Sequence, residues 1–317
     1  MAAFVSGWVN KAARDPTRRE VWPFLPPGAC RHACPSLFEK TGDAFRQARP
    51  KSRRAAGHRF ALAVLFIAFA AASVSAAPRR VASLNLCTDD LVLLLARPDQ
   101  IASISYLSRD PRESALWRMA RRYPFNDGGF LSIAALRPDL VIVMGGGPRD
   151  RATLASRIGA RLLDLPYPQT LADLQAGIRA VAVALGRVPE GEALAARIEE
   201  ARRSAPATTR DSIFLTGGGR TLSATGMGAE WLRLAGLRQR ALPGDRISIE
   251  NLLLQPPRLL IRSNYRLGET SREGAWLDHP ALRDIPRART IATDGRRWTC
   301  MGPSLLPEIL RLRAAAR

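Results

Sequence analysis

Beyond residue 77, few side chains can do chemistry: two cysteines, Cys87 and Cys300, one histidine, His279, and no lysine. A lone histidine without a nucleophile-elbow serine motif argues against a Ser-His-Asp hydrolase. It argues more firmly against zinc sites that need several histidines. Met144-Gly145-Gly146-Gly147-Pro148 resembles a phosphate loop, yet it matches neither G-x-G-x-x-G nor G-x4-G-K-[ST], and Pro148 removes an amide donor. With no lysine, a P-loop NTPase is excluded. His279, in Trp276-Leu277-Asp278-His279-Pro280, reads as a turn or capping residue. Near the start, Cys30 and Cys34 flank His32, too few ligands for a structural zinc site. What remains suits binding: glycine runs let a backbone approach a large ligand, and Tyr and Trp offer flat faces with one polar handle each.

These residues sit in an alternation of short strands and helices. Strands are expected at Arg80 to Leu86, Gln100 to Tyr106, Leu140 to Met144 and Arg161 to Leu165, with a helix over Asp89 to Ala96. Helices at Leu171 to Leu185 and Glu190 to Ser204 follow, and the second carries Leu194, Ile198 and Ala201 on one face. The alternation then resumes with strands at Ser212 to Leu215, Leu259 to Arg262 and Thr290 to Ala292, and helices at Met227 to Ala235 and Pro303 to Ala315. Such alternation implies parallel sheets with covered faces. The expected fold is α/β: two Rossmann-like lobes, residues 77–188 and 206–317, joined by a single linking helix at 189–205.

The formal charge of +20 invites a nucleic-acid reading until the charges are located. Residues 1 to 77 hold 12 basic and 4 acidic side chains, and the rest holds 36 arginines interspersed with 24 carboxylates. No clustered stripe or nucleic-acid motif is present, so a solvated arginine-rich surface is favoured and no nucleic-acid partner is expected. Lys51, Arg53, Arg54 and Arg59 precede an apolar or small stretch from Phe60 to Val74, and Val74-Ser75-Ala76 offers small residues for cleavage before Ala77. That succession is a secretory signal peptide, assigned to residues 53–76, with an uncleaved anchor as the alternative. Residues 1–52 read as a disordered extension, and the mature protein is expected in the periplasm.

Three segments in order carry a family resemblance: Arg80-Val81-Ala82-Ser83-Leu84-Asn85; Ile133-Ala134-Ala135-Leu136-Arg137-Pro138-Asp139-Leu140-Val141-Ile142; and Ile247-Ser248-Ile249-Glu250-Asn251-Leu252-Leu253 before Pro257-Arg258-Leu259-Leu260-Ile261. Over about residues 79 to 317 the chain resembles the periplasmic binding proteins for cobalamin and iron chelates. The resemblance implies a non-enzymatic monomer that needs no cofactor, binds a bulky metal chelate in a ligand cleft between the lobes and delivers it to the permease of an ABC importer in the inner membrane. It places ligand-binding residues at Asn85, Cys87, Thr88, Tyr106, Gly146, Arg149 and Tyr167 in the first lobe. In the second it places Gly218, Asn264, Tyr265, Trp298 and Cys300. It also implies an acidic permease-docking residue on each lobe. Glu250 fills that position in the second lobe, whereas the first has Leu131, leaving Asp127, four residues earlier, as the substitute.

Cys87 follows the first strand and Cys300 the last, so both belong to loops at the carboxyl edge that each lobe turns to the cleft. Three readings stay open: a disulfide across the lobes, two thiols touching the chelate, or two unrelated buried cysteines. Two other function classes also stand beside the binding protein: an exported enzyme on a doubly wound fold and a surface interaction protein.

Overall fold

A computed structural model describes residues 77–146, 150–266, 268–283 and 285–317. The signal peptide, the extension before it and Arg149 lie outside the described residues.

The first lobe is built on β1 (Val81–Ser83), β2 (Ile101–Ser105), β3 (Phe125–Asn126), β4 (Leu140–Met144) and β5 (Arg161–Leu165), ordered β3-β2-β1-β4-β5 with every pairing parallel. Leu140-Val141-Ile142-Val143-Met144 is apolar without a break because β4 is central and buried on both faces. The helices here are α1 (Leu86–Leu95), α2 (Trp117–Ala120), α3 (Phe130–Ala134), α4 (Arg151–Arg157) and α5 (Leu171–Leu185). Helix α5 starts where the Thr170 hydroxyl accepts from the Asp173 amide while the Asp173 carboxylate accepts from the Thr170 amide, and it stops at Gly186 with φ +69°.

Helix α6 (Val188–Arg203) leads to the second lobe, starting earlier than the residue 189 expected because Pro189 fits the first helical turn. At Gly191 an added Cβ would lie 2.2 Å from Ala182 Cβ, so the missing side chain is what lets α6 lie close against α5. The second sheet, β6 (Arg210–Leu215), β7 (Leu237–Gln239), β8 (Leu259–Ser263) and β9 (Arg289–Thr293), is ordered β7-β6-β8-β9 and again parallel. It is covered by α7 (Met227–Leu234), α8 (Ile249–Leu254), α9 (Arg272–Leu277), α10 (Arg296–Cys300) and α11 (Leu306–Ala315). The chain therefore folds as the two α/β lobes expected from its alternation.

One apolar cluster runs through both lobes, from Leu91, Ile104 and Ile142 through Ile178, Leu185 and Ile198 to Trp231, Phe214 and Ile309. Helices α5 and α6 form its middle, so moving one lobe against the other would disturb a shared core as well as a hinge. No described helix is long and apolar enough to cross a membrane.

Candidate functional site

Strand order reverses between β1 and β4 in the first lobe and between β6 and β8 in the second, and the carboxyl ends of such strands flank the crevice of an open α/β sheet. Those ends meet along one seam. The sulfurs of Cys87 and Cys300 are bonded, with Cα atoms 5.2 Å apart. Nearby, the Tyr265 hydroxyl after β8 donates to Glu113 Oε2 at 2.7 Å, and Arg266 pairs with the same buried carboxylate. Arg296 donates to the Pro111 carbonyl at 2.7 Å, and the Ser304 amide donates to Asp90 Oδ2 at 3.2 Å. A Cβ at Gly302 would lie 2.4 Å from Asp90 Oδ2, so a side chain there would have to displace that carboxylate. Burial raises the Asp90 carboxyl above its ordinary value despite the Ser304 hydrogen bonds and the Arg297 charge.

Open space flanks this seam. A cavity of about 580 Å³ in the first lobe is lined by Tyr106, Arg109, Asp110, Pro111, Arg112, Arg121 and Phe125. One of about 560 Å³ in the second is lined by Gly218, Arg246, Ile247, Ser248, Arg272, Glu273 and Trp276. A third, of about 420 Å³ and mainly apolar, lies between Met144, Leu165, Tyr167 and helix α5. Tyr106 is 52% exposed and Tyr167 57%, so both present their rings to open space.

The expected binding residues divide into those facing this space and those that build its frame. Tyr106, Tyr167 and Gly218 line cavities. Gly146 is exposed and has no neighbour that a Cβ would meet; the close approach occurs at Gly145, with φ +98°, where a Cβ would lie 2.1 Å from the Tyr167 ring. Asn85 and Thr88, expected to bind the ligand, belong to the frame. Asn85 instead caps α1, its Oδ1 accepting from the Thr88 amide at 3.0 Å, and Thr88 is fully buried against the Ser83 hydroxyl at 2.7 Å. Trp298 is a second correction: only 5% exposed, it donates from Nε1 to Thr293 Oγ1 at 2.9 Å and packs on Phe214 with ring centroids 4.6 Å apart, so it belongs to the core. Tyr265 is taken up by Glu113, and Asn264 Oδ1 accepts from the Gly295 amide at 2.9 Å. The bond between Cys87 and Cys300 removes the reading in which two thiols touch a metal. Cys300 ends helix α10 instead of lying in a loop. His279 caps the turn at Pro280–Leu282, its Nδ1 accepting from the Ala281 amide at 3.2 Å.

Several cleft residues escaped the sequence reading. Phe125 and Arg121 line the first cavity, Trp276 lines the second, and Glu113 holds the seam. The run Trp117-Arg118-Met119-Ala120-Arg121-Arg122-Tyr123-Pro124-Phe125 carries a legible signal, aromatic rings spaced among arginines. In the fold the Arg118 and Arg121 guanidinium groups stack on Trp117 at 4.5 and 4.7 Å, and Arg109 stacks on Phe125 at 4.9 Å.

Behind Tyr106, the Asp89 carboxylate is fully buried and accepts from the Ser105 amide and from the Ser105 and Ser108 hydroxyls. Burial pushes it up to about 7, beyond what those hydrogen bonds pull down. Its hydrogen bonds fix the turn Tyr106–Arg109 that carries two cavity residues. Glu250 and Leu131 occupy matching places, each the second residue of a helix, α8 after Ser248 and α3 after Gly129. Glu250 is exposed, and Leu131 is 90% exposed. Asp127, also exposed, accepts from the Gly129 amide at 2.8 Å. Among the described residues no three His, Cys, Asp or Glu side chains converge on a metal position.

Residues 81–288 match the family model described as periplasmic binding protein. The fold is similar to that of a periplasmic heme-binding protein from Pseudomonas aeruginosa, at 23% identity and TM-score 0.55, covering 75% of this chain and 92% of that one. It is also similar to the periplasmic heme-binding protein HutB of Vibrio cholerae, at 18% identity and TM-score 0.58, covering 75% and 98%. The vitamin B12-binding protein BtuF of Vibrio cholerae aligns at 18% identity and TM-score 0.53, covering 75% and 96%. No curated protein matches the chain.

Proposed function

From the premise that the chain belongs to the periplasmic binding protein family, solute-binding proteins and not enzymes that serve ABC importers, we propose that it captures a bulky metal chelate between its lobes and hands it to the membrane permease. The observation that carries this reading is the placement of wide, open depressions on the carboxyl edges of both sheets, with the exposed rings of Tyr106 and Phe125 on one side and Trp276 on the other. A flat or rounded chelate of heme, corrinoid or siderophore size offers the broad face that such rings cover. The heme-binding and vitamin B12-binding proteins of the same fold support the ligand class without choosing within it.

In this reading the chain is exported by its 53–76 signal, matures near Ala77 and acts as a monomer. Glu250 meets a permease arginine, and Asp127 or the apolar Leu131 supplies the contact from the first lobe. The test is a thermal-shift panel of hemin, cyanocobalamin, cobinamide and several ferric siderophores. At about 100 times the dissociation constant a true ligand stabilises the protein by about 2.7 kcal/mol. A panel in which no chelate shifts the transition would refute the assignment.

A further inference from the structure

The carboxylates of the cleft are already neutralised, whereas several of its guanidinium groups are not. Asp110 is paired with Arg112 at 2.7 Å, Glu273 with Arg220 at 3.0 Å, and Glu113 and Glu269 both with Arg266. Arg109 and Arg121 on the wall of the first cavity, and Arg246 and Arg272 on that of the second, have no carboxylate within ion-pairing distance among the described residues. Arg246 donates to the Gly218 carbonyl at 3.1 Å, a neutral acceptor that leaves its charge uncompensated. Arg109 and Arg121 are held by stacking on Phe125 and Trp117, which fixes the planar groups while leaving their edge donors available. The two walls approach one another at the seam, where Arg112 of the first cavity lies 3.9 Å from Glu269, three residues before Arg272 of the second.

We propose that the carried chelate is an anion with acidic groups toward both lobes, held by Arg109 and Arg121 on one side and by Arg246 and Arg272 on the other. This rests on the chelate reading above and narrows it. A neutral chelate filling both cavities would strip water from four guanidinium groups and return no charge to them, a cost that an acidic rim removes. Planar carboxylates match the fork of an arginine, so the expected ligand presents carboxylates or similarly charged oxygens at its edge.

The test uses four probes on the purified full chain, each titrated by tryptophan fluorescence at low and high salt: hemin, hemin dimethyl ester, ferric citrate and cyanocobalamin. Hemin or ferric citrate is expected to bind, the ester at least about tenfold more weakly than hemin, with affinity for the anion falling as salt rises. Arg109→Ala with Arg121→Ala, and Arg246→Ala with Arg272→Ala, should each weaken the anion by about tenfold or more, and Arg→Lys at the same positions should recover part of it. Circular dichroism confirms that each variant is folded. Cyanocobalamin or the ester binding as tightly as the anions would overturn the anionic assignment and leave the chelate reading standing. Binding by none of the four, nor by the cobinamide and ferric siderophores of the thermal-shift panel, would overturn the chelate reading and this proposal with it.

Discussion

Replacing both bonded cysteines by alanine, Cys87→Ala with Cys300→Ala, should lower stability by about 5 kcal/mol and leave ligand affinity unchanged. The magnitude follows from the sequence separation of 213 that the bond spans. In the chain-entropy account a cross-link of that span removes about 18 cal/mol/K from the unfolded chain, or about 5 kcal/mol at 25 °C. The folded state loses little in exchange, because the Glu113 contacts with Tyr265 and Arg266 and the Ser304 to Asp90 hydrogen bond continue to hold the seam. Urea unfolding followed by tryptophan fluorescence reads the change. With a slope of about 3 kcal/mol/M the midpoint should fall by about 1.7 M, and reductant added to the unmodified protein should reproduce the fall. A shift below about 0.3 M at unchanged slope would show that the bond does not constrain the unfolded chain in this way. An affinity that drops together with the midpoint would refute the claim that the bond frames the cleft without touching the ligand.

Trp298→Ala should cost about 3 to 5 kcal/mol through the lost contact with Phe214 and the cavity left behind; retained stability in the same urea assay would return Trp298 to the cleft. Asp89 has a folded pKa of about 7 against an ordinary value of 3.8, so the folded chain holds this proton more firmly than the unfolded chain. Its stabilising contribution is therefore full below 3.8 and lost as pH rises through about 7. Asp89→Asn should remove that loss, gaining stability relative to the unmodified protein as pH rises from 4 to 8, and a pH-independent difference would count against it. Glu250→Arg should cut chelate uptake in cells while leaving affinity in solution unchanged, and an equal loss of both would show that Glu250 is not on the docking rim.

The architecture was readable where the hydrophobic pattern is local and long. Leu140–Met144 and Leu171–Leu185 have the limits that their periodicity implies, because a central strand and a capped helix are specified by neighbours in the chain. The edge strands Phe125–Asn126 and Leu237–Gln239 left no such trace. Each is only two or three residues long and exists through partners far away, as where buried Asn126 donates to the Ser83 carbonyl and the Ser103 hydroxyl. Trp298 misled because Arg296, Arg297 and Thr299 give it the composition of a loop, although on a helical turn their side chains point elsewhere while the indole turns inward. The contact between Glu113 and Tyr265 joins residues 152 apart, and no short pattern announces a pairing that only the meeting of two sheets creates.

The bonded seam also bears on how an importer would tell a loaded carrier from an empty one. With the lobes tied through Cys87 and Cys300 and through a shared core, the carrier proposed above would keep Glu250 and Leu131 at one spacing with or without its cargo. Empty copies of such a carrier would compete for the transporter on equal terms with full ones, and flux would scale with the occupied fraction of the pool instead of with a change of shape. Making more of that carrier than there is cargo would slow delivery, because each idle copy would occupy a landing place that a laden one could use.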